Sequence, residues 1–176
     1  MKNAETEYLL RVPYPQPTRP ARPPSPQTVY RLRRAAAGNG GMLTLLCSSV
    51  QRAALCRAQG KPALAEVLDA GAQTALRHLG LVTELLACCG AEPGFFVPQG
   101  GHKIWWSAGR APQCPKPEFL VHRALRDAQA ASDLCRALAE TLPAGMQPCA
   151  ERMLADWEHH AALLRELLLR EEAPPL

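Results

Sequence analysis

Apolar residues recur along much of this chain at steps of three and four. From residue 62 onward Leu64, Leu68, Gly71, Ala75, His78, Val82, Leu85 and Cys89 alternate steps of four and three, so in an α-helix they form one buried stripe. The same reading predicts a helix over about 118–141, with Leu120, Ala124, Ala128, Ala131, Cys135 and Leu138 inward. A further helix over about 148–170 turns Cys149, Met153, Trp157, His160, Leu164 and Leu167 inward. His159 points about 100° away from His160 and is expected to be wetter. The stretch 28–58 is also helix-like but holds Gly38, Asn39, Gly40 and Gly41. Three glycines cost about 3 kcal/mol relative to alanine, so propensity predicts a break there.

The links differ in length. Gly60 and Pro62 suit a helix end and a helix start, giving a short link, and Pro143 and Gly145 turn the chain again near its C-terminal end. Residues 90–117 instead form a long crossover with the ring pairs Phe95-Phe96 and Trp105-Trp106, expected to seal one end and flank of the helices. Trp105, Trp106 and Trp157 are therefore assigned structural roles. Four helical stretches with that pattern of links predict an all-α protein of ferritin-like four-helix topology.

Residues 1–27 hold seven prolines within PYPQPTRPARPPSPQ and read as an extended arm, because proline lacks the N–H that helix and sheet require. The predicted organisation is an arm over 1–27, the helical domain over 28–172 and a tail over 173–176. Net charge is +4, yet residues 1–34 carry seven Lys/Arg against two Asp/Glu, leaving the rest near neutral. Without aromatic interleaving or basic clustering, the arm is expected to be a solvated tail with no specific nucleic-acid binding.

Hydrophobic residues make up 47% of the 176 but aromatics only 5%, which fits a core of Leu and Ala. The seven cysteines form no CxxC and are odd in number, which predicts reduced thiols, mostly buried, in a cytoplasmic setting. Cys114, between prolines, is the expected accessible one. The acidic start MKNAETEYLL and the lack of a long apolar run predict neither a signal peptide nor a membrane span.

His78 and His160 sit on apolar stripes, where an imidazole needs a partner or a ligand. The motifs AAAGNGGMLTLL, TALRHLGLV, CGAEPGFFVPQ with KIWWSAG, and ERMLADWEHHAALLREL resemble the ferritin-like superfamily of di-iron and di-manganese carboxylate proteins over about residues 30–168. The similarity is to its bacterial manganese-catalase-like and rubrerythrin-like branch, some members of which lie in spore coats. It implies a first helix running through the glycines. It also implies metal ligands from Glu, Glu-x-x-His, Glu and Glu-x-x-His on the successive helices.

At the matching positions stand Met42, Ala75 with His78, Ala128, and Trp157 with His160. Both histidines remain and all four carboxylates are replaced. An alternative register pairs Asp156 with His159. The two metals of such a centre bring about four positive charges that carboxylates must neutralise. The expectation is a pseudoenzyme: no catalytic residues, no cofactor, a dry centre with each imidazole held by a neutral hydrogen bond or by the other imidazole, and a structural or interaction role in a homo-oligomer or with a protein partner. The competing reading is a manganese or iron redox protein, destroying peroxide or oxidising metal, with a site rebuilt from His78, His160, Asp156, His159 and Cys135. The resemblance implies a bacterial cytoplasmic location, or a spore-associated one.

Overall fold

The computed structural model describes residues 13–110 and 119–172, so the readings of residues 1–12, Cys114 and the tail 173–176 lie outside it. Helix α1 spans Pro26–Ala37, α2 Met42–Ala58, α3 Pro62–Cys88, α4 Leu120–Ala139 and α5 Gln147–Glu172. Strands β1 (Phe96–Gln99) and β2 (His102–Trp105) form an antiparallel hairpin in the crossover. The protein is predominantly helical. Among the described residues no helix is long and apolar enough to cross a membrane.

Each boundary has a local cause. Ser25 caps α1 by accepting the Thr28 N–H at 3.1 Å, with Pro26 in the first turn, so the helix starts two residues before the expected border at 28. The glycine cluster does end α1, which corrects the continuous helix implied by the family resemblance. Gly40 has φ +71°, a left-handed conformation that an L side chain resists, and a Cβ on Gly38 would meet the Arg34 carbonyl at 2.6 Å. Thr44 secures the break by donating to the Gly38 carbonyl at 3.3 Å.

The hairpin was not expected. Its turn, Gly100-Gly101, has φ +56° and +80°, and two positive φ angles suit a tight two-residue connection. Phe96 is buried, with the Arg33 guanidinium 3.9 Å from its ring centroid. Trp106 donates from Nε1 to Thr44 Oγ1 at 3.1 Å and so ties the crossover to α2. Trp105 does not seal the helices: it is 57% exposed, lying over the buried Phe96 opposite it in the hairpin with ring centroids 5.1 Å apart, so that Phe96 rather than Trp105 meets the helices.

The most extensive packing joins α2 to α3 and α4 to α5, while α3 also meets α5, and α1 lies against α3 and β1. All the predicted inward residues of α3 are buried except Cys89, which is intermediate at the helix end. The inward residues of α4 are buried throughout, and those of α5 as far as Leu164. Leu, Ala and Met supply most of this core, as a chain poor in rings requires.

The arm is the largest correction. Over residues 13–18 it is irregular and lies on the helices, with Tyr14, Pro15 and Pro17 half-buried, where a solvated tail is expected, whereas most of residues 19–25 are exposed. Cys149 Sγ donates to the Pro15 carbonyl at 3.4 Å, Cys88 Sγ to the Pro17 carbonyl at 3.9 Å, and Thr18 Oγ1 to the Gly145 carbonyl at 3.1 Å. A proline-rich segment has carbonyls without ladder partners, and thiols and a helix surface can engage them. Residues 13–18 thus form a strap.

Candidate functional site

Helices α3 and α5 lie antiparallel where the polar centre forms: His78 faces Asp156, and Gly71 faces His160. Gly71 is what admits His160, since a Cβ there would approach its Nε2 to 2.6 Å. Trp157 stands between the two imidazoles, edge-on to both, with ring centroids 5.7 Å from His78 and 5.6 Å from His160. All six positions matched to the family's ligand set, Met42, Ala75, His78, Ala128, Trp157 and His160, are buried.

An acid does enter this centre, contrary to the expectation of a face without one. Asp156 is 2% exposed and engages three protein donors. His78 Nε2 donates to Oδ2 at 3.1 Å, Arg152 Nε donates to Oδ1 at 2.9 Å, and the Tyr14 hydroxyl donates to Oδ2. Arg152 also covers the strap residue, its guanidinium carbon 5.2 Å from the Tyr14 ring centroid. Charge-assisted bonds of this kind are roughly twice as strong as neutral ones, which lets a carboxylate survive burial.

The protonation pattern follows from these contacts. Burial raises Asp156, but bonds from His78 and Tyr14 and the positive field of Arg152 outweigh it and hold the carboxyl below its ordinary value. Burial drives the Tyr14 phenol upward, and its bond to Asp156 adds to that. His78 is pushed down by burial, which outweighs the support of Asp156. His160 is pushed down to about 4 by burial, with His159 contributing. Near neutral pH the cluster therefore holds one carboxylate, one guanidinium, neutral imidazoles and a neutral phenol.

The expected neutral hydrogen bond at each histidine is not what is found. His78 is held by an anion, Asp156 of the opposing helix. His160 keeps Nδ1 buried without a hydrogen-bond partner among the described residues and is held by packing against Trp157 and Gly71. His159 is only half-buried, on the wetter side of α5.

These donors do not fit a di-metal centre. Two divalent cations need several carboxylates, whereas the single aspartate here is already neutralised by Arg152, and an indole occupies the space between the imidazoles. No group of three or more His, Cys, Asp or Glu side chains suited to a metal ion occurs among the described residues. Cys135 is buried, with its thiol pushed up by burial and by the charge of Asp156, so it is a poor nucleophile or ligand.

Two members of the cluster escaped the sequence reading. Arg152 could have been found from its i, i+4 spacing to Asp156 on α5. Tyr14 carries no periodic signal at all, only an aromatic ring between two prolines. A part-buried ion pair, the buried Arg52 with the half-buried Asp127 at 2.6 Å, joins α2 to α4 away from this centre. No family model, no curated protein and no solved structure matches this chain.

Proposed function

We propose that this chain is a non-catalytic, degenerate ferritin-like four-helix bundle that serves as a structural or interaction subunit. The observation that supports this most is Asp156. Its oxygens are engaged by Arg152, His78 and Tyr14, so the interior charge is balanced by protein groups where the related enzymes would use metal. A His–Asp couple can orient a general base, but a base needs a nucleophile or substrate proton within reach. Trp157, packed edge-on against His78, and the Tyr14 strap occupy that space. The bundle is a cytoplasmic bacterial protein in this reading, alone or in a coat-like assembly, with a homo-oligomer or protein partner.

Elemental analysis of full-length protein expressed in medium supplemented with manganese and iron, paired with a peroxide-consumption assay, tests the proposal. The expected result is far less than one metal per chain and no turnover. Near-stoichiometric metal that disappears in His78→Ala and His160→Ala would reject it in favour of a rebuilt redox centre using manganese or iron.

A further inference from the structure

The strap lies along the seam between α3 and α5 and touches both helices. Residues 13–16 run beside Arg77, Gly80, Leu81 and Glu84, one face of α3 at helical spacing, and the strap and α3 together wall a cavity of about 320 Å³. Across the seam, α5 presents Cys149 to the Pro15 carbonyl and Arg152 and Asp156 to the Tyr14 ring and hydroxyl. The socket thus reads three features of its occupant: an aromatic ring, a phenolic hydroxyl at its end, and an extended proline-fixed backbone with free carbonyls.

Recognition of this kind resembles the general mode in which extended proline segments dock on aromatic and polar grooves, where little conformational entropy is lost on binding. None of these contacts depends on the strap being joined to the domain it sits on. After Thr18 the described hydrogen bonds resume only at Ser25, the cap of α1. The intervening stretch, with Pro20, Pro23 and Pro24, borders two open clefts rather than packing closely.

We propose that the α3–α5 seam is a recognition site for extended segments bearing a proline-flanked tyrosine. The chain's own residues 13–18 are its resident occupant, and a partner protein carrying such a segment displaces them. Tyr14 is the anchor, and Cys149, fully buried beneath Pro15, is the native reporter of occupancy.

The probe is a fluorescein-labelled synthetic peptide of residues 11–20, RVPYPQPTRP, titrated into the full-length Tyr14→Ala protein. Saturable binding is expected, tenfold or more weaker when the peptide's tyrosine is phenylalanine, and tenfold or more weaker to the wild-type chain, whose strap competes. In parallel, alkylation of each cysteine is followed by mass spectrometry. Cys149 should label tenfold or more faster in Tyr14→Ala than in wild type and return to the wild-type rate with excess peptide. Cys56 and Cys135, both buried in the core, should stay slow throughout. No saturable binding up to millimolar peptide, binding indifferent to the tyrosine hydroxyl, or acceleration of all three thiols together would overturn the proposal. If Tyr14→Ala is not recovered folded, Tyr14→Phe, which keeps the ring and loses the hydroxyl, takes its place in both experiments, with the same results expected and the same results overturning the proposal.

Discussion

Acid should loosen this protein well before ordinary carboxylates protonate. His160 has an unfolded value near 6.5 and a folded value pushed down to about 4, so its neutral form is favoured by folding. A depressed histidine contributes stability that is present above the unfolded value and is lost as pH falls toward the folded one, because the unfolded chain then binds the extra proton. The gap is worth about 3 kcal/mol, a slope of roughly 1.4 kcal/mol per pH unit below about 6. His78 is shifted the same way and steepens the slope. Asp156, held low by its donors, adds a further loss that begins as pH falls through the ordinary carboxylate value and is complete once pH passes below its own depressed folded value. Urea unfolding followed by helical circular dichroism at successive pH values between 7 and 4 measures this as the fall in unfolding free energy at constant slope against urea. His160→Leu should remove about half of the fall between pH 6 and 4.5, since a neutral side chain cannot gain the proton. A wild-type profile flat over that range, or one that His160→Leu leaves unchanged, would refute the placement of neutral imidazoles in the core.

The remaining expectations concern packing and the polar cluster. Trp157→Ala should cost about 3–5 kcal/mol in unfolding free energy, because the ring is fully buried between two imidazoles and the helices cannot collapse onto the void. Asp156→Ala should cost about 3–5 kcal/mol by stranding Arg152, His78 and Tyr14 together. Adding Arg152→Met to it should be clearly less than additive in a double-mutant cycle. Gly71→Ala and Gly80→Ala, on the same helix, should differ in sign. The first drives a methyl into His160 and should cost about 1–3 kcal/mol, while the second meets no atom within 4 Å and should gain up to about 1 kcal/mol from helix propensity, both read from thermal and urea unfolding.

The helices were legible because Leu and Ala repeat at three and four, and the break at Gly38–Gly41 was legible from propensity, which here prevailed over family resemblance. The hairpin was hidden by Pro98 within its first strand and by two adjacent tryptophans that read as core. Its one usable signal was Gly100-Gly101 between Val97 and Ile104. The polar centre was only half legible. A stripe through Met153, Trp157 and His160 leaves Asp156 about 100° to one side, where a helix two layers deep would be wet. Asp156 is interior because Tyr14, 142 residues earlier in the chain, covers it from outside the helices. Helical periodicity cannot register such cover, since it describes how one helix meets another and not what a segment without a period lays across the seam. The same fact explains why the aspartate could remain charged. Arg152 reaches it from one turn away on its own helix, His78 from the opposing helix and Tyr14 from the strap, so the site exists only when all three segments are in place.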